Sequence, residues 1–164
     1  RAAMVEAARE MARRFPGTRL IFMDASGPDG IVPFEPHLSH GDGRQVDVSL
    51  FYSALDGRPI HGPPPGSRRN GYGNYEPPRP GDPQPCRGID RPNDDQDPPA
   101  DRAWRLDDAR SRALTELFAA DPRVRRILIE PHLEHRWNLD GESKLRFAGC
   151  QAARHDDHLH IDFN

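Results

Sequence analysis

The segment His155-Asp156-Asp157-His158-Leu159-His160-Ile161-Asp162-Phe163-Asn164 decides how this chain folds and where its chemistry sits. Three histidines and three aspartates share these ten positions. On an extended strand side chains alternate between faces, so His158 and His160 point the same way. Ile161 and Phe163 point the other way, which suits packing against a core. A rigid backbone that sets two imidazoles on one face lets both reach one small site. One can bind a metal while the other handles a proton.

Working back from this strand, Leu145 and Phe147 lead into it, and Asn138 to Lys144 has turn character. Val124 and Ile127-Leu128-Ile129 read as a buried strand, closed by Glu130-Pro131 and followed by His132, His135 and Trp137. Before it, Ala113, Leu114, Leu117 and Phe118 form the apolar stripe of a helix. Asp107 and Asp108 open that helix, where acidic side chains favour the first turn, and Asp121-Pro122 ends it. From Gly57 to about Ala103 most of the 18 prolines gather with few large aliphatic residues. Neither a helix nor a central strand carries prolines at that density, so the stretch is an irregular insertion and not a second domain. Tyr72, Tyr75 and Cys86 give it the means to be partly ordered, as a wall of a cleft.

Further back, Val46, Val48 and Leu50 alternate with Asp47 and Ser49, the pattern of a strand. An inward Asp47 needs a partner. His40 lies seven positions earlier, a spacing that on one regular strand would put the two on opposite faces. Gly41-Asp42-Gly43 allows a bend that brings them to one point. Ser26-Gly27-Pro28-Asp29-Gly30 is turn chemistry, and Arg19 to Asp24 reads as a short buried strand. Met4, Ala8, Met11 and Phe15 recur at helical spacing until Pro16-Gly17 stops them.

The 164 residues suit a single domain with its own core, although the apolar fraction is only 35%. A formal charge of -3 with both signs mixed offers no nucleic-acid patch and no polybasic membrane anchor. No run has the length of a membrane span, and none reads as a secretory signal. Cys86 and Cys150 can pair, which would fit an exported protein, or stand as small buried hydrophobes. Oligomeric state leaves no mark on the sequence.

His40, Asp47 and His160 form a ligand set of two imidazoles and a carboxylate, with His37, His155 and His158 beside them. That set, with one open position, is usual for catalytic zinc. Spare imidazoles can take a proton and hydrogen-bond a developing oxyanion. Together these are the parts of an amide hydrolase. The plain alternatives are an exposed His-x-His, a solvated strand Asp, and loop histidines at His61, His132 and His135. For Glu130 the plain reading is a cap or a solvated end of a strand.

His37-Leu-Ser-His40-Gly-Asp-Gly43-Arg-Gln-Val-Asp47-Val48 resembles the first motif of the penicillin-insensitive murein endopeptidases, and His155-Asp156-Asp157-His158-Leu159-His160 resembles the second. That family belongs to a group with the lysostaphin-type and D-alanyl-D-alanine metallopeptidases and the hedgehog domain. The resemblance covers the chain outside the Pro-rich insertion. It implies an α+β fold, a small antiparallel sheet with flanking helices. It implies zinc on His40, Asp47 and His160, with His158 as general base and His37 and His155 stabilising charge or orienting water and substrate. The implied substrate and partner is peptidoglycan, cleaved at a peptide bond of stems or cross-links by an exported protein, periplasmic or secreted, whose signal is not in this chain. Asp157 stands where the D-alanyl-D-alanine branch has a Glu and competes with His158 as base. Asp156 and Asp157 are alternatively carboxylates that orient ligand imidazoles. The competing function is a zinc-containing binding domain without hydrolysis, as in hedgehog domains.

Overall fold

A computed structural model describes residues 1–26, 40–68, 71–91 and 97–164. His37 and residues 27–30 of the expected turn lie outside them. In chain order the elements are α1 (Ala2–Arg14), β1 (Phe22–Ala25), β2 (Gln45–Ser49), β3 (Tyr52–Ala54), β4 (Trp104–Leu106), α2 (Asp108–Ala120), β5 (Val124–Leu128), α3 (Pro131–Arg136), β6 (Leu145–Arg146) and β7 (His158–Phe163). The fold is α+β. A five-stranded sheet runs β1-β2-β7-β5-β6, and β3 and β4 form a separate antiparallel pair. The larger sheet is not wholly antiparallel, because β5 and β6 run parallel. Their connection passes through α3, a crossover that lets two strands align in one direction.

Strand β7 occupies the middle because it can be buried on both faces. Leu159 and Ile161 enter the apolar core, while His158, His160 and Asp162 are buried on the opposite face. Its partner β2 repeats the division, with Val46 and Val48 in the core and Asp47 and Ser49 buried opposite. Helices α1 and α2 pack against this core. On α1 the buried side chains are Ala3, Met4, Ala7 and Met11, so the stripe runs through Ala7 and leaves Ala8 half-buried. Helix α2 starts where Asp107 accepts a hydrogen bond from the Arg110 amide, and Leu114 and Phe118 are fully covered.

Strand β1 departs from its expected burial. Among the described residues it is an edge strand that pairs with β2 alone, through an irregular register, and Phe22 is 59% exposed. An apolar run signals a strand but does not say whether both edges will be paired.

Between β3 and β4 the described residues form turns and loops, joined to the rest by an isolated bridge from Ser53 to Pro59. A disulfide joins Cys86 to Cys150, 64 positions apart, and so ties this stretch to the segment just before β7. Closing a loop of that length removes roughly 4 kcal/mol of unfolded-chain entropy in the polymer picture. Among the described residues no helix is long and apolar enough to cross a membrane.

Candidate metal centre

The register between β2 and β7 builds the site. Asp47 lies directly opposite His160, and Ser49 opposite His158. His40 reaches the same point from outside the strand. Its own φ is 71° and that of Gly43 is 76°, so the chain turns twice through left-handed backbone before β2 begins at Gln45. The His40 amide donates to the Gln45 side chain, which closes the turn.

Asp47 is the hub. His160 Nδ1 donates to its Oδ1 at 2.8 Å and His40 Nε2 to its Oδ2 at 3.2 Å, while His158 Nε2 is 3.8 Å from Oδ2. Among the described residues, His40, Asp47 and His160 are the one group whose donor atoms could hold a metal ion. Those atoms lie within 4.8 Å of one another, and each residue is 2% exposed. Burial opposes ionisation of Asp47, but the imidazoles of His158, His160 and His40 outweigh it and hold the carboxyl well below its usual range. Burial likewise disfavours a charged His160, yet Asp162 and Asp47 raise it to about 9. Positive charge is therefore favoured at the point where three donors meet. A divalent cation would fit this buried set of two imidazoles and one carboxylate.

The remaining histidines surround that point. His158 Nδ1 donates to Asp157 Oδ1 at 2.5 Å, and the Gly73 amide donates to Asp157 Oδ2 at 2.7 Å. Asp157 thus holds His158 with one oxygen and the Gly73 amide with the other, and Nε2 of that ring is turned toward Asp47. Burial resists a charge on His158, but Asp47 and Asp157 raise its pKa. The ring of His155 lies 5.0 Å from that of His158 and 5.9 Å from that of His160, centroid to centroid. Its Nδ1 is buried with no hydrogen-bond partner among the described residues. Burial and the neighbouring imidazoles push His155 well below its ordinary pKa, which keeps it neutral.

Three expectations need correction. Glu130 is the N-cap residue of α3, as a cap was expected there, but its side chain makes no capping hydrogen bond and is not solvated. It is buried, receives both terminal nitrogens of Arg91 at 2.8 and 2.9 Å, and accepts the His155 amide at 3.2 Å. His132 is not a loop histidine but a buried residue of α3 whose Nε2 donates to the Glu76 carbonyl at 2.7 Å. Asp156 orients no imidazole of the site. It faces Arg154, which donates to it at 2.6 and 3.2 Å. His61 and His135 are exposed.

Sequence reasoning passed over two contributors. Asp162 approaches His160 Nε2 at 3.4 Å and takes a 2.6 Å hydrogen bond from Arg126. Its position two residues after His160 on one strand was the available signal. Tyr72, expected as a cleft wall, reaches further in: its hydroxyl lies 2.5 Å from Asp47 Oδ2, and its ring is T-shaped on His158. Two hollows lie along the Pro-rich stretch, and neither is lined by His40, Asp47, His158 or His160. One of about 440 Å³ is lined by Arg68, Gly73, Asn74, Arg102 and Trp104. The other, of about 310 Å³, is lined by Arg91, Glu130, His132, Arg154 and Asp156. No protein-family model matches this chain, and no curated protein matches it.

Proposed function

We propose that the protein is a zinc-dependent peptidase that hydrolyses amide bonds in bacterial peptidoglycan stem peptides or cross-links. One observation carries the reading: a third imidazole, His158, stands beside the His40–Asp47–His160 group with its far nitrogen bound by Asp157. A purely structural cation has no need of such a base. The two motifs that resemble those of murein endopeptidases contain these residues, and they supply the substrate class.

The cation would be held by His40, Asp47 and His160, and it would supply a Lewis acid beside the scissile carbonyl. Asp157 fixes the tautomer of His158, so that Nε2 faces the site and can accept a proton from the attacking water and return it to the leaving amine. This pairing makes Asp157 the orienting carboxylate and His158 the base. His155, kept neutral by burial, has Nδ1 free to hydrogen-bond an oxyanion. The Cys86–Cys150 bond is in keeping with the oxidising surroundings of an exported protein.

The depth of the centre favours a second reading, in which the cation is structural and the domain only binds a partner, since all three candidate ligands are 2% exposed. Incubation of the zinc-loaded protein with purified peptidoglycan decides between them. Newly freed amines are expected, abolished by a chelator. Asp47→Ala should carry little or no zinc by mass spectrometry. His158→Ala should keep its zinc and lose at least about 100-fold in rate. An unchanged rate in His158→Ala would remove the base from the mechanism, and zinc-loaded protein that releases no amines would leave the binding domain.

A further inference from the structure

Among the described residues of the Pro-rich stretch, Tyr72 reaches the candidate metal centre with its side chain. Tyr72 sits in the turn at Gly71–Asn74, held by hydrogen bonds on both sides. The Gly71 amide donates to the Arg68 carbonyl at 2.8 Å, the Arg68 amide to the Tyr72 carbonyl at 3.0 Å, and Asn74 Nδ2 to the Gly71 carbonyl at 2.8 Å. Gly71 and Gly73 both have positive φ, 91° and 88°, a pairing that side-chain-bearing residues would strain. The Gly73 amide then anchors the turn on Asp157. Tyr72 is thereby aimed at Asp47 and His158 together.

A phenol carries one proton to donate. Two carboxylate oxygens compete for it, Asp47 Oδ2 at 2.5 Å and Asp24 Oδ2 at 3.1 Å, and the shorter contact is to Asp47. A donor on one oxygen fixes the plane of a carboxylate before any cation arrives. The ring, edge-on to His158 at 5.0 Å between centroids, limits the tilt of that imidazole as well.

We propose that Tyr72 is a positioning residue of the cation site, its hydroxyl orienting the Asp47 carboxylate that serves as a ligand. The proposal rests on the reading that His40, Asp47 and His160 bind a divalent cation, and it does not require hydrolysis. It gives the insertion a part in metal affinity as well as in the shape of the cleft. Hydrogen-bond partners of metal ligands contribute about 10- to 100-fold to affinity.

The test is chelator competition for Zn2+ on the full chain, together with the visible spectrum of the Co2+-loaded protein. Tyr72→Phe keeps the ring and removes the hydroxyl. It should weaken Zn2+ binding by about 10-fold or more and alter the Co2+ bands. Asp24→Asn turns the competing carboxylate into a neutral, weaker acceptor and should leave Zn2+ affinity within about twofold of the parent. Metal-free melting of both variants reports the fold separately. Three outcomes overturn the proposal: Zn2+ affinity of Tyr72→Phe within about twofold of the parent, an equal loss in Asp24→Asn, or a Tyr72→Phe protein already unfolded without metal. A parent chain that binds no Zn2+ overturns it together with the site. Weakened binding in Tyr72→Phe beside a parent that binds Zn2+ but cleaves no peptidoglycan upholds Tyr72 and removes only the peptidase reading.

Discussion

The β2–β7 pair and the stretch between β3 and β4 both touch the candidate metal centre, and they are held in place by different forces. The strand pair is fixed by backbone ladder and apolar burial. Its register sets Asp47 opposite His160, while Leu159 and Ile161 are fully buried behind them. The proline-rich stretch has little apolar matter to bury. It is tied down by a disulfide, by the paired charges Arg91–Glu130, Arg136–Glu76 and Arg154–Asp97, and by single contacts at Tyr72 and Gly73. The comparison separates precision from attachment. A ladder positions many side chains at once, because a slip of one residue would reverse every face. Point contacts hold a loop only where they occur, and each can be removed singly.

The largest effect should come from the strand side. Ile161→Ala leaves a cavity in the middle of the sheet and should lower stability by about 2–5 kcal/mol, read from the denaturant midpoint. Zinc stoichiometry should fall at denaturant concentrations where the parent still holds its metal.

On the loop side, replacing Cys86 and Cys150 together by Ala should lower stability by roughly 2–4 kcal/mol. Zinc should remain at one per chain, because the ligands belong to β2, β7 and the turn before β2. Loss of zinc in that variant would show that the two regions act as one unit and would dissolve the contrast.

An effect that is small over any single pH unit lies at their junction. Burial pushes Asp156 up to about 7, against the pull of Arg154. Between its ordinary value near 4 and about 7 the folded protein then holds a proton that the unfolded chain lacks, so stability falls as pH rises through that window, with a slope of at most about 1.4 kcal/mol per unit. Asp156→Asn should flatten this part of the stability profile in denaturant titrations at a series of pH values. An identical slope in parent and variant would assign the titration to another group.

Much of the centre was legible in the sequence because its spacing is strand spacing. His158 and His160 share a face by alternation, and the glycines after His40 allow the turn that the structure contains. The roles of Glu130, His132 and Tyr72 were not legible. Each depends on a partner far along the chain: Arg91 is 39 positions from Glu130, Glu76 is 56 from His132, and Tyr72 is 25 from Asp47. The exposure of Phe22 was hidden for a related reason, since an edge strand and a central strand have the same apolar run.

By itself the sequence determined local geometry: which residues alternate on a strand, where α1 stops, where α2 begins and ends, and which stretch is too rich in proline to form either; it gave no sign of α3. These follow from backbone sterics and hydrophobic periodicity, which act over a few residues. Only the tertiary structure decided the order of strands in the sheet, the parallel β5–β6 pair, the bond between Cys86 and Cys150, and the partners of the buried charges. Those depend on which distant surfaces come together when the core closes, and sequence spacing carries no measure of that distance.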